Sequence, residues 1–139
     1  MSGVRCQRLE ENCETFQQKK IMARNFKNLV IWQRSRVLVK DIYLMTNEFP
    51  NSEKFGLTSQ LNRATISIPS NIAEGCGRGT EKSLSHFLDI AIGSSCEVET
   101  QVYLSYDLNL INEQKMNKLT DEVGQIRLMI IGYQKTLKK

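Results

Sequence analysis

The 139-residue chain is 40% hydrophobic and 24% charged, has only two prolines and carries a formal net charge of +4. That length suits one domain around one core, and no run of about twenty apolar residues offers a membrane-spanning helix. The opening stretch MSGVRCQRLEENCETFQQKK has no apolar signal-peptide core, so a cytoplasmic location is expected.

Residues 1–28 hold six Lys/Arg against three Asp/Glu, or +3, which leaves the remaining chain at +1. A near-neutral domain with a basic arm is a weak sign of phosphate binding. The arm, residues 1–25, is polar with no sustained apolar period, and a loosely docked or disordered segment is expected there. Met22 begins a stretch that reads as a natural start, so residues 1–21 are expected to be an upstream extension. Residues 26–139 form the expected bundle domain. Of the four cysteines, Cys6, Cys13, Cys76 and Cys96, none makes a C-x-x-C pair. Free thiols are expected, with Cys96 a small core residue.

The first predicted helix places Ile31, Ser35, Leu38, Ile42, Met45 and Phe49 in alternating steps of four and three, which holds them on one face. Asn28 is its expected N-cap and Pro50 its expected stop. The second helix repeats the steps through Leu57, Leu61, Ala64, Ile68 and Asn71. Pro69 inside it removes a hydrogen bond, a cost of about 3 kcal/mol, and predicts a kink rather than an end. The run Gly75-Cys76-Gly77-Arg78-Gly79 is expected to stop this helix and act as a flexible connection, with Thr80 capping the next.

The third helix carries Leu84, Leu88, Ala91, Ser95, Val98, Val102 and Ser105 on its seam and a waist of small residues at its middle. Gly93 costs roughly 1 kcal/mol relative to alanine, so close approach by a neighbouring helix is the expected compensation. Residues 83–112 contain four carboxylates and no Lys or Arg. The fourth helix, capped by Asn112, repeats the seam at Leu119, Val123, Ile126, Ile130, Tyr133 and Leu137, with Lys135, Lys138 and Lys139 near its end. The fold class is therefore all-α, an antiparallel up-down-up-down four-helix bundle with a Pro-kinked second helix. Leu128, Met129 and Ile131, with Tyr103, Leu104 and Leu108, lie off the seams. They mark either a second packing partner or a broad core face.

Nothing in the sequence forms a catalytic set. One histidine, His86, cannot supply the paired Glu-x-x-His of a di-iron bundle, and no metal or other cofactor is expected. Helical ribonucleases that pair an arginine with a histidine space them by four to six residues. Seven separate Arg78 from His86, so the spacing misses. The glycine run follows a helix and lacks the Gly-Lys-Ser/Thr ending of a phosphate loop. Asn71, Glu74, Glu97, Glu99 and Gln101 are expected to meet between the second and third helices as a structural polar network.

Three motifs in succession, Gly56-Leu57-Thr58-Ser59-Gln60-Leu61-Asn62-Arg63-Ala64, Ile68-Pro69-Ser70-Asn71-Ile72-Ala73-Glu74-Gly75 and Ile92-Gly93-Ser94-Ser95-Cys96-Glu97-Val98-Glu99-Thr100-Gln101, resemble the bacterial four-helix bundle family known as the 23S rRNA-intervening-sequence protein. A relative of that family is the accessory variability determinant of diversity-generating retroelements. The resemblance covers about residues 22–139. It implies a non-enzymatic homo-oligomer, a homopentameric barrel, and a nucleic-acid- or nucleoprotein-binding accessory role in which RNA, DNA or a reverse transcriptase is the partner. It assigns no catalytic residue. Nucleic-acid contact is placed on Arg34, Arg36, Lys40, Arg63 and Arg78 for their charge alone, as positions an oligomer would bring together. The alternative is a structural protein–protein module without direct nucleic-acid contact.

Overall fold

The computed structural model describes residues 25–137, so the arm 1–24 with Cys6 and Cys13, and the terminal Lys138 and Lys139, lie outside the described residues. Four helices follow in chain order: α1 (Val30–Thr46), α2 (Leu57–Gly77), α3 (Glu81–Asp107) and α4 (Glu113–Lys135). Short 3-10 turns occur at Phe26–Asn28 and Asn51–Glu53, and there is no strand among the described residues. The four-three spacing accounts for the core. Ile31, Leu38, Ile42 and Met45 of α1, Leu61, Ala64 and Ile68 of α2, and Leu119, Val123, Ile126 and Ile130 of α4 are all buried. Every seam residue named for α3 is buried, the two serines included.

Two helix starts form as their sequences predict. The Thr80 side chain accepts from the Ser83 N–H at 3.1 Å, and that of Asn112 from the Lys115 N–H at 2.8 Å. Asn28 does not cap α1. It closes the preceding 3-10 turn, whose cap is Asn25, and Leu29 stands at the N-cap without a side-chain bond. That turn is fastened from α1 itself: Gln33 Nε2 donates to the Lys27 carbonyl at 2.8 Å, and Phe26 meets Trp32 edge-on at 5.1 Å. The far end of α1 falls short of Pro50. Regular helix stops at Thr46, and the Glu48 and Phe49 N–H groups reach only three residues back, tightening the chain before the proline. Helix α3 ends in a Schellman motif. Asn109 takes the left-handed conformation (φ 60°), its N–H bonds to Tyr106 O, and Leu110 N–H bonds to Ser105 O.

Helix α2 continues through Pro69 to Gly77, so the glycine run is not the connection its composition implies. Gly75 and Cys76 are buried inside the helix, and only Arg78, Gly79 and Thr80 link it to α3. The reason is a close approach. A Cβ on Gly75 would lie 2.9 Å from both Leu84 Cδ1 and Phe87 Cβ, and 3.3 Å from Leu84 Cα. The glycine that resembled a breaker is the point at which α3 presses on α2.

The helices pack in cyclic order. α2–α3 is the most extensive contact, α3–α4 and α1–α2 follow, α4–α1 is the thinnest, and the diagonal pairs α1–α3 and α2–α4 make no close approach. Contact register gives the direction of neighbours. Ser67 and Gly75 of α2 meet Ser94 and Leu84 of α3, while Arg127 and Gln134 of α4 meet Ser95 and Ser85 of α3. In each pair, numbers rise along one helix as they fall along the other.

Gly93 does not do what Gly75 does: a Cβ there would meet nothing within 4 Å, and the residue is exposed. Close packing among the described residues therefore does not account for it. The two glycines predict opposite outcomes. Gly75→Ala forces α2 and α3 apart and should cost about 1–3 kcal/mol. Gly93→Ala, measured at high dilution so that the single bundle is read, should gain up to about 1 kcal/mol of helix propensity. Chemical denaturation of the two variants checks this, and shifts of the same sign would contradict it.

Candidate functional site

The polar residues of α2 and α3 do not form one network. Asn71 Nδ2 donates to Ser67 O at 2.7 Å and to Ser67 Oγ at 2.8 Å, and the Ser67 hydroxyl lies 2.8 Å from that of Ser94. Glu74, exposed, pairs with Arg78 at 2.9 Å. Glu97 accepts a long bond, 3.4 Å, from Gln101. Glu99 turns the other way, to α4, and binds Arg127 Nη2 at 2.6 Å. The register explains the division. Ser67 is level with Ser94, so Asn71 and Gln101 lie on opposite sides of that contact, about 16 Å apart along the axis at 1.5 Å per residue.

The residue that the sequence reading missed is Arg127. Its Nε donates to Ser95 Oγ at 2.9 Å while its Nη2 holds Glu99, and the Ser95 hydroxyl passes a bond on to Ile92 O at 2.6 Å. A second tie on the thinnest seam is Arg34. Its Nε and Nη2 span both oxygens of Glu122, at 3.1 and 2.8 Å, with Gln125 Oε1 at 2.9 Å and Met129 Sδ at 3.1 Å. Gln101 is 8% exposed, and its Oε1 has no hydrogen-bond partner among the described residues.

The five basic positions selected by charge therefore differ in their surroundings. Arg34 is committed to α4. Arg36 is exposed with its guanidinium 5.1 Å from the Trp32 ring centre, and shares a shallow groove with Gln33, Val37 and Lys40. Arg63 is exposed on α2 and does not line that groove. Arg78 holds Glu74 and lies over Phe87 at 5.0 Å.

Charge is segregated along the chain. Residues 26–79 carry seven Lys/Arg against four Asp/Glu, or +3; residues 80–112 carry one against five, or −4; residues 113–139 carry six against three, or +3. A domain close to neutral in total thus has one strongly acidic helix.

Cys96 is exposed, against the expectation of a small core residue, while Cys76 is buried. Cys96 follows the seam residue Ser95, and one residue turns a helix by about 100°, enough to carry a side chain out of the core. His86 is exposed, edge-on to Phe87 at 5.6 Å. Among the described residues, no three His, Cys, Asp or Glu groups lie where they would hold a metal ion, and no helix is long and apolar enough to cross a membrane.

Four amphipathic helices in cyclic order about one apolar core define a four-helix bundle protein. The family model for the 23S rRNA-intervening sequence protein matches residues 27–132, and the chain belongs to that family. Among solved structures it is similar to a protein of unknown function from the S23 ribosomal protein family of Bacteroides thetaiotaomicron. That likeness has a TM-score of 0.71 and 21% identity, and covers 76% of this chain and 99% of the other, so it concerns the fold. No curated protein matches the sequence.

Arg127→Ala removes a charged donor from two partners on α3 and should lower stability by about 1–2 kcal/mol. Gln101→Met removes an unmatched buried acceptor at nearly constant volume and should gain about 1 kcal/mol. Thermal melts of both variants check these signs.

Proposed function

We propose that the protein is a non-catalytic, homo-oligomeric bundle, a pentameric ring, that serves as a nucleic-acid- or nucleoprotein-binding accessory factor in the cytoplasm. The observation that carries this reading is the segregation of charge: α1 carries a net +2 and α4 +1, α2 is neutral, and α3 carries −4. A polyanion is drawn to the basic side by counterion release even though the domain is nearly neutral overall. The name of the family, tied to 23S rRNA, supports RNA as the first polyanion to try. Arg36 and Arg63 are the leading contacts because both are exposed and neither is salt-bridged among the described residues. The basic arm adds to them.

A second reading, a protein–protein module without nucleic-acid contact, is favoured by exposed apolar side chains such as Phe55 (89% exposed) and Leu128 (70%). Fluorescence anisotropy with a structured RNA, measured across a salt series, separates the two. Direct binding gives an affinity that falls steeply with salt, and Arg36→Glu with Arg63→Glu should lower it about tenfold or more and flatten the salt slope. No binding at low salt, together with a cellular partner that survives nuclease treatment, would establish the second reading.

A further inference from the structure

We infer that the outer face of α1 in one subunit docks on the outer face of α3 in a second copy of this chain. The inference rests on the homo-oligomeric part of the reading above and gives that oligomer its contact surfaces.

Val30, Val37 and Leu44 recur every seven residues along α1 and are 53%, 59% and 58% exposed. That period keeps them in one line on a helix, and the line is not the buried seam. Lys40, exposed, lies along the same line. On α3 a second line of the same period passes through Ile90, Glu97 and Leu104, all exposed, with exposed Gly93 and Thr100 between them. Each helix thus has a buried seam facing its own bundle and another line, partly apolar, that none of the described residues covers.

Their chemistry chooses the pairing. α1 on α1 would oppose Arg36 and Lys40 to their own copies, and α3 on α3 would oppose carboxylate to carboxylate with no cation between residues 83 and 112. Of the pairings these two faces allow, α1 on α3 is the one that sets cation against anion, with an apolar residue at either end of each line. Gly93 fits the same picture. Its missing side chain makes no room for anything inside the subunit, but it leaves the middle of the α3 line low enough to admit another helix. Because α1 and α3 sit on diagonal corners and do not approach each other, neither face is spent on the other within the bundle. Joining two different faces leaves one of each free, so the contact repeats from copy to copy and closes into a ring if the rotation allows.

The test uses the full chain in sedimentation velocity, with circular dichroism to confirm that each variant is folded. Val37→Glu on α1 and Gly93→Leu on α3 both change exposed positions, and each alone should convert the assembly to monomer. An equimolar mixture of the two should give a one-to-one heterodimer, because the first retains an intact α3 face and the second an intact α1 face. A monomeric wild type overturns this pairing together with the oligomer reading, while the RNA measurement still decides nucleic-acid binding by itself. A wild-type oligomer that ignores either variant, or a mixture that stays monomeric, overturns the α1–α3 pairing alone.

Discussion

At Gly75 the backbone of α2 comes so near α3 that an added methyl would stand 2.9 Å from Phe87 Cβ and from the end of Leu84. Eight residues back along α2, the hydroxyls of Ser67 and Ser94 meet at 2.8 Å, so small groups line this contact at two successive heights. Close approach here makes α2–α3 the broadest interface of the bundle and fixes the register between the two helices. The rest follows from that register. It sends Asn71 to Ser67 and Glu74 to Arg78, leaves Gln101 buried with an unmatched oxygen, and turns Glu99 toward α4, where Arg127 takes it up.

The α4–α1 seam works on a different principle. It has the least backbone contact of the four, and a forked guanidinium supplies part of what packing does not. Arg34 reaches both oxygens of Glu122 and the side chain of Gln125. Planar, multi-donor geometry of this kind specifies an angle as well as a distance, which a lysine at the same position would not.

Helix existence, the buried seams and two of the caps were legible in the sequence because each depends on local period or on a single side chain. Ile31 through Met45 and Leu84 through Ser105 are buried as their spacing requires. What failed was whatever depends on the phase of a neighbouring helix. Gly75 and Gly93 are alike as letters. Only the position of α3 over α2 makes the first indispensable and leaves the second facing open space. The exposure of Cys96 has the same origin, since it is one residue from the seam position Ser95 and the sequence does not say how wide the covered face is. Arg127 escaped notice because nothing adjacent to it in the chain is acidic; its partner is twenty-eight residues away on α3. Among the candidate nucleic-acid contacts, charge identified the residues, but not that Arg34 is occupied by Glu122.

The collection of carboxylates on one corner of the bundle also gives the subunit a transverse electric dipole, perpendicular to the helix axes, that its small net charge conceals. A charged surface acts on such a molecule with a torque before it acts with a net pull. A polyanion brought near would turn the bundle so that α3 points away and α1, on the opposite corner, comes forward. That torque is felt within about a Debye length, roughly 8 Å at physiological salt.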